Sequence, residues 1–266
     1  VKLSSFEAVL SPQTVLVSLA YINSELGIIQ PLSKLARMVR KYEKIHDTTV
    51  YVHADAAQAP YWQSCQFDAV PVDIMTFDAG KCGGPKGVGV VATRHGVRLS
   101  PVLFGGPQEQ GLRPATENTA AIVGASVAIV RAQEHYETVS LHTERLRNKL
   151  ITALLEVNGV VLNGSREYRV ANNVNVSVLG VDSEFLTISL NEAGVAASTK
   201  SACSGASGGG SGVVLAITGD TTRASSTLRL TLGPDTTERD IAFATKQITT
   251  TIKQLKAQQQ SLTQAS

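Results

Sequence analysis

Apolar and polar residues follow a clear block pattern through the first half of the chain. Short apolar, β-branched runs predict strands at 14–20, 49–54, 73–78 and 88–93. After the first of them, apolar residues at helical spacing predict an amphipathic helix over 32–46. Strands separated by segments of helix length are typical of an α/β layer with a largely parallel sheet.

The pattern changes in the second half. A strongly helical stretch over 118–157 is long enough to join two domains. Beyond it, helical runs at 183–193 and about 236–258 are mixed with strand-like runs, namely VVLNG, NNVNVSVLG, VAAST and STLRLTLG. This mixture predicts a smaller α+β layer. We therefore expect a first domain over 1–136 and a second over 137–266.

The composition is that of an ordinary globular protein, with 43% hydrophobic and 17% charged residues and a net charge of +2. This balance gives no reason to expect nucleic acid or a membrane surface as a partner. The sequence contains no apolar run of about eighteen residues and no signal-peptide pattern. Three widely spaced cysteines, Cys65, Cys82 and Cys203, make no disulfide framework and fit a reducing cytoplasm.

Glycine and lysine are concentrated in TFDAGKCGGPKGVGVV, residues 76–91. The segment GGPKGVG lacks the Walker spacing, and GVGVVAT opens a strand instead of the helix that a dinucleotide fingerprint requires. Lys81 remains a candidate for Schiff-base chemistry, because a partly desolvated lysine amine is a nucleophile. Its alternative is an ordinary turn lysine, which is our interpretation of Lys86.

Asp55 follows the predicted strand YVHA, and Lys81 follows the next predicted strand. Ligands of open α/β sheets bind beyond the carboxyl ends of strands. Pyridoxal phosphate needs a lysine for its imine, a carboxylate for its ring nitrogen and anchors for its phosphate. The two residues fit the first two needs. The alternative for Asp55 is a helix N-cap before AAQA.

Six motifs, in this order, resemble cysteine desulfurases of the NifS/IscS type: NSELGIIQP, YVHADAAQ, GGPKGVG, GGPQEQGLRPATEN, KSACS and STLRLTLG. The resemblance runs from about residue 1 to 257. It implies a pyridoxal-phosphate-dependent transferase fold of the aspartate aminotransferase type (class V). Residues 1–136 would be a partial cofactor-binding large domain, and 137–266 a small domain with the catalytic cysteine loop. We also expect an N-terminal segment before Val1.

The resemblance implies a role for each matching residue. Lys81 matches the lysine that binds the cofactor, and Asp55 matches the partner of the pyridine nitrogen. Gln58 matches a hydrogen-bond donor near the ring hydroxyl. Thr116 matches a residue that reaches the cofactor phosphate of the other subunit in a homodimer, and its alternative is a helix cap.

The substrate side of the site follows from the same resemblance. Cys203 matches the nucleophile that takes sulfur from L-cysteine as a persulfide, leaving alanine. Arg229 matches the clamp on the substrate carboxylate, and Asn23 and Ser24 match positions near the substrate. Strand alternation puts Arg229 on the opposite face from its two leucine neighbours, which also suits a surface residue.

The cysteines also have structural interpretations. An isolated cysteine such as Cys203 is by default a small buried residue. Its Gly/Ser-rich context, SACSGASGGGSG, suits instead a nucleophile that must reach two partners. Cys65 and Cys82 lack such a context and are interpreted as structural, with Cys82 the weaker candidate nucleophile because it follows Lys81.

Three positions depart from the family pattern. Asp78 stands where a serine usually helps hold the cofactor phosphate, and a carboxylate there repels phosphate unless it is protonated or turned away. Gly80 stands where a histidine is usual, and Ser24 where an asparagine is. These departures keep a second hypothesis open, a homologue without cofactor that serves as a dimerisation or sulfur-relay partner through Cys203.

The implied partners are L-cysteine, a second copy of the chain in a homodimer, and a sulfur-acceptor protein such as an iron–sulfur scaffold. The expected location is the cytoplasm. We expect no metal and no nucleic acid beyond an indirect role in tRNA thiolation. A third hypothesis keeps the fold but changes the chemistry to a selenocysteine lyase or an aminotransferase. The thiol of Cys203 weighs against the aminotransferase.

Overall fold

The computed structural model describes residues 1–199 and 210–265. Contacts within the chain divide it into two compact units. The first unit consists of Val1–Ile22 and Gln30–Tyr136, and the second of Asn23–Ile29 and Glu137–Ser266. Their assignment as a cofactor-binding domain and a small catalytic domain stays a prediction.

A four-stranded sheet forms the centre of the first unit, in the order β1-β2-β3-β4. The strands are β1 (Leu16–Ala20), β2 (Tyr51–Asp55), β3 (Ile74–Asp78) and β4 (Gly89–Thr93). Strands β1, β2 and β3 are parallel, whereas β4 is antiparallel to β3. The predicted α/β class with a mostly parallel sheet is confirmed, and β4 is its antiparallel edge.

Three helices contribute to the first unit, α1 (Leu3–Glu7), α2 (Leu32–His46) and the first half of α3 (Thr119–Leu155). Helix α2 has the predicted bounds, and the apolar stripe that predicted it is buried, with Leu35 and Val39 fully inaccessible. It ends where Asp47 adopts the left-handed conformation, with φ of 49°.

The second unit is built on an antiparallel sheet of three strands, with β6 at its centre. Strands β5 (Val160–Leu162), β6 (Asn173–Val178) and β7 (Thr227–Thr231) form this sheet. Helices α4 (Ser183–Glu192), α5 (Gly212–Thr218), α6 (Thr221–Ser225) and α7 (Glu238–Ala265) follow or separate these strands. Within residues 1–199 and 210–265, no helix has the length and hydropathy needed to cross a membrane.

Strand β6 is buried on both of its faces. Its valines enter an apolar core with the inward residues of β7, α4 and α7, including Leu228, Leu186 and Ile248. Its opposite face is polar and carries Asn173, Asn175 and Ser177, none more than 4% exposed. Side chains alternate between the two faces of a strand, so the motif NVNVSV separates an apolar layer from a buried polar one.

Helices α5 and α6 were not predicted from the sequence. Side-chain caps start both helices, because Ser211 accepts a hydrogen bond from the backbone of Val214 and Asp220 accepts one from that of Arg223. The strand-like run VAAST forms a single bridge, between Ser198 and Arg229, and its interpretation as a strand is wrong.

A buried arginine on α3 gives a test of this packing. The Arg147 side chain is 1% exposed and donates hydrogen bonds of 2.8 Å to the carbonyls of Arg169 and Val170 and to Glu144. Arg147→Met leaves the buried Arg169 carbonyl without this donor and the Val170 carbonyl with only the long 3.5 Å bond from Asn173 N–H. We expect it to lower the free energy of unfolding by about 2–4 kcal/mol in urea titrations.

Arg145→Met is the matched control on the same helix. The Arg145 side chain is 61% exposed and pairs with Glu238 at 3.1 Å. An exposed ion pair contributes little, so we expect a loss below about 1 kcal/mol. Equal losses in the two variants would contradict the structural role of the buried guanidinium.

Candidate active site

Two carboxylates lie at the carboxyl edge of the parallel strands of the first unit. Asp55 is the last residue of β2, and Asp78 is the last residue of β3. The two strands are parallel neighbours, with Asp55 in register with Thr76. Both side chains therefore stand at the edge where open α/β sheets bind ligands.

Lys81 lies directly after β3, at the end of a short 3₁₀ helix (Ala79–Lys81). The Oδ1 atom of Asp78 accepts a hydrogen bond from the backbone N–H of Gly80 at 3.0 Å. Its Oδ2 atom lies 3.8 Å from Lys81 Nζ. Both side chains are nearly half exposed, at 44% and 47%. Water screens such a pair, and the Asp78 carboxylate faces groups of its own loop.

The Asp55 carboxylate caps a turn. Its Oδ1 atom accepts the N–H of Ala57 at 3.0 Å, and Gln58 lies half-buried in the same turn. The alternative interpretation of Asp55 as a helix N-cap is wrong, since residues 56–59 form a turn and not the start of a helix. The carboxylate remains exposed at the strand end.

His53 is a functional candidate that the sequence analysis missed. Its Nδ1 atom lies 2.8 Å from Ser18 Oγ and its Nε2 atom 3.0 Å from Thr76 Oγ1. These bonds cross three strands on the face that carries Asp55, two residues further along β2. The alternation in YVHAD places the two residues on one face. Only the sheet order, however, reveals the hydroxyl partners.

Thr116 lies in an exposed irregular stretch before α3. The interpretation of Thr116 as a helix cap is wrong, because Asn118 supplies the side chain that binds the helix start. Its Oδ1 atom accepts the N–H of Ala121 at 3.2 Å. The role of Thr116 at a cofactor phosphate stays a prediction.

The predicted substrate residues of the second unit are brought together. Arg229 lies half-buried on β7, and its Nη1 atom donates to the backbone oxygen of Ser24 at 3.3 Å. The Asn23 side chain closes a turn, accepting the N–H groups of Glu25 and Leu26 at 3.1 and 2.8 Å. Cys203, the predicted nucleophile, lies outside the described residues.

The two described cysteines are held in the thiol form. Burial, followed by the proximity of Cys82, raises the pKa of Cys65 to about 12. Burial, followed by the charge of Asp78, raises the pKa of Cys82. The Cys82 thiol also donates a hydrogen bond to the Ala79 carbonyl at 3.4 Å. Thiolates are the reactive form, so neither side chain is suited to attack at neutral pH.

These pKa shifts predict slow alkylation of Cys65 and Cys82. At pH 8, a thiol with a pKa of about 12 is ionised in only about one molecule in ten thousand. In a Cys203→Ser variant, iodoacetamide should therefore label the native protein at least about 100-fold more slowly than the urea-unfolded protein. The rate should rise as the pH approaches the raised pKa. Rapid labelling of either residue at pH 8 in the native protein would refute the assignment.

Comparisons with known proteins find relatives that match over most of this chain. The chain is 35% identical over 258 residues to a protein of Eremothecium gossypii named "Cysteine desulfurase, mitochondrial", covering 96% of this chain and 51% of that protein. It is 34% identical to "Cysteine desulfurase IscS" of Clostridium botulinum, covering 96% and 63%. A solved structure titled "NIFS-LIKE PROTEIN" superposes with a TM-score of 0.85 at 32% identity, over 96% of this chain and 66% of that one.

The chain thus spans between half and two thirds of the length of these relatives. The sequence model of the family described as "Aminotransferase class-V" matches residues 1–243. Because this match covers most of the 266 residues, the chain belongs to the class-V aminotransferase family.

Proposed function

We propose that this protein is a cysteine desulfurase that uses pyridoxal phosphate to convert L-cysteine into alanine. The observation that carries the proposal is the placement of Lys81 and Asp55 at the carboxyl edge of β2 and β3. The names of the two curated relatives, both cysteine desulfurases, supply the substrate class.

The residues at this edge fit the cofactor on which the class-V family depends. Pyridoxal phosphate requires a primary amine and a carboxylate for its ring nitrogen. Lys81 and Asp55 supply both, from exposed positions beside neighbouring strand ends. Gln58 would bind the ring hydroxyl, and Thr116 the phosphate in the partner subunit of a homodimer. Asp78 would border the phosphate with its carboxylate engaged by its own loop.

Two residues of the first unit would each have a separate role in the reaction. Pyridoxal phosphate, when bound, supplies an electron sink for the bonds at the substrate's Cα. The Nζ atom of Lys81 would move the proton at the substrate's Cα. The Asp55 carboxylate would lie beside the ring nitrogen, where a carboxylate favours the protonated pyridine.

The second unit supplies recognition and the nucleophile. Arg229 would hold the substrate carboxylate with its planar fork, beside Asn23 and Ser24. The Cys203 thiolate would attack the substrate sulfur, so that an S–S bond forms and the Cβ–S bond breaks. Cβ gains a proton in its place, and the products are alanine and a persulfide on Cys203. Oxidation of the sulfur balances reduction of the carbon, and no external oxidant is needed.

We extend the proposal to the partners of such an enzyme. The protein would act as a homodimer in the cytoplasm and pass its sulfur to an acceptor such as an iron–sulfur scaffold protein. The apolar side chains of Ile122, Val123, Val127 and Val130, each at least 39% exposed along α3, are consistent with burial in a larger assembly.

A second candidate function is a sulfur relay without cofactor chemistry. The observation that favours it is the pairing of Lys81 with Asp78, because a neighbouring carboxylate competes with an aldehyde for the amine. In that case Cys203 would carry a persulfide only when another desulfurase supplies the sulfur.

Lys81→Ala tests the cofactor site. Wild-type protein mixed with pyridoxal phosphate should develop the visible absorption band of the lysine-bound cofactor, and the variant should not, since it lacks the condensing amine. Lys86→Ala is the control, because Lys86 belongs to the same glycine-rich loop and should leave the band intact. A band that persists in Lys81→Ala, or none in the wild type, would refute the cofactor assignment.

Cys203→Ser tests the nucleophile. With L-cysteine and a reducing thiol, the wild type should release alanine and sulfide. The variant should lose at least about 100-fold of this rate, because a hydroxyl is a far weaker nucleophile than a thiolate at neutral pH. Its cofactor band should remain.

Cys65→Ser is the control and should retain activity, since the Cys65 thiol stays protonated. The products also separate the alternatives. Selenide formed in preference to sulfide would indicate a selenocysteine lyase, and a transferred amino group an aminotransferase. A wild type that produces none of these, yet takes a persulfide on Cys203 from another desulfurase, would support the relay.

A further inference from the structure

Three consecutive backbone carbonyls, those of residues 24–26, accept hydrogen bonds from side chains of the second unit. We call residues 24–26 the clamped segment. The donor–acceptor pairs are Arg229 Nη1 to Ser24 O (3.3 Å), Asn173 Nδ2 and Asn175 Nδ2 to Glu25 O (3.1 Å each), and Arg169 Nη1 to Leu26 O (2.6 Å).

Burial makes these bonds necessary. Glu25 and Leu26 are each 2% exposed, and the clamped segment belongs to no helix or strand. Buried carbonyls without donors are costly. Here side chains supply the hydrogen-bond donors that the backbone N–H groups of a neighbouring strand would supply in a sheet. The approach to β6 is close. At Gly27, where φ is +70°, an added Cβ would lie 2.5 Å from the Cβ of Asn173.

Asn175 and Arg229, which donate to the consecutive carbonyls of Glu25 and Ser24, are also neighbours in the sheet. Asn175 of β6 is directly opposite Arg229 of β7 in the antiparallel register. On its other side, Arg229 exchanges two backbone hydrogen bonds with Ser198. The Glu25 carbonyl, which Asn173 and Asn175 hold, directly follows the Ser24 carbonyl that contacts the Arg229 guanidinium.

We propose that Asn175 is a positioning residue for a carboxylate site on Arg229. The inference rests on the proposed function, in which Arg229 binds the carboxylate of an amino-acid substrate. The Ser24 carbonyl engages one of the five guanidinium N–H groups. Held there, the guanidinium can present an edge with two parallel N–H groups to a carboxylate. Asn175 acts on Arg229 indirectly. It fixes the Glu25 carbonyl, and the neighbouring Ser24 carbonyl orients the Arg229 guanidinium.

The experiment measures the affinity for L-alanine, which carries the carboxylate. The holoenzyme is titrated with L-alanine and followed through the cofactor absorption. Asn175→Leu removes the donor and retains the approximate volume, and we expect it to weaken L-alanine binding about tenfold through misorientation of Arg229. The KM for L-cysteine should rise by a similar factor, while kcat changes less than about threefold. Asn175→Ser serves as a second variant if Asn175→Leu does not fold.

Ser177→Ala is the matched control. Ser177 lies two residues along the same face of β6 and is equally buried. Its hydroxyl accepts from Asn163 Nδ2 and donates to the carbonyl of Arg223, and both of these partners lie outside the clamped segment. We expect the Ser177→Ala variant to bind L-alanine with an affinity within about twofold of the wild type. In an Arg229→Ala background, Asn175→Leu should also change the affinity by less than about twofold, because coupled residues are not additive.

The outcomes separate the two proposals. A wild type that binds L-alanine but forms no alanine from L-cysteine refutes the desulfurase function and leaves the positioning test intact. The positioning proposal is overturned by any of three results. These are no L-alanine binding by the wild type, equal losses in Asn175→Leu and Ser177→Ala, and an undiminished loss in the Arg229→Ala background.

Discussion

The second unit depends on satisfying a polar layer that is completely buried. The amides of Asn173 and Asn175 each use both ends, donating to the Glu25 carbonyl and accepting from Arg169 and Asn163 respectively. Burial, followed by the nearby charge of Arg147, lowers the pKa of Arg169 to about 10. Buried polar groups of this kind are stable only when each has a partner. The backbone of the clamped segment supplies several of those partners, so this part of the unit is complete only when residues 23–29 are in place.

This constraint connects fold to function. Residues 23–29 leave the first unit between β1 and α2 and pack in the second. The clamped segment is neither helix nor strand, and hydrogen bonds from side chains hold its backbone conformation. Ser24 can therefore remain exposed beside Arg229 while Glu25 and Leu26 are buried. The same hydrogen bonds that complete the polar layer also place two predicted substrate residues together.

The sequence was sufficient wherever local pattern decides the structure. Helix α2 and the four strands of the first unit follow from apolar periodicity, and the position of Asp55 and Lys81 beside strand ends follows from strand order. The alternation in NVNVSV is equally visible. The burial of its asparagines is not visible in the sequence, because an asparagine on a strand is usually exposed to solvent. The bonds of Asn173 and Asn175 to the Glu25 carbonyl, 148 and 150 positions earlier, are not visible in the local pattern. Helices α5 and α6 were missed because each has only five to seven residues and begins at a side-chain cap.

The two departures beside Lys81 form a single structural change. Asp78 turns its Oδ1 atom to the N–H of Gly80, at 3.0 Å. A Cβ added at Gly80 would lie 3.2 Å from that same oxygen, closer than most such contacts. A larger side chain at position 80 would crowd the carboxylate in its present rotamer, whereas glycine leaves it room to cap the 3₁₀ helix. The acidic residue and the glycine are therefore compatible as a pair. This pairing keeps the carboxylate on its own loop, beside the amine on which the proposed chemistry depends.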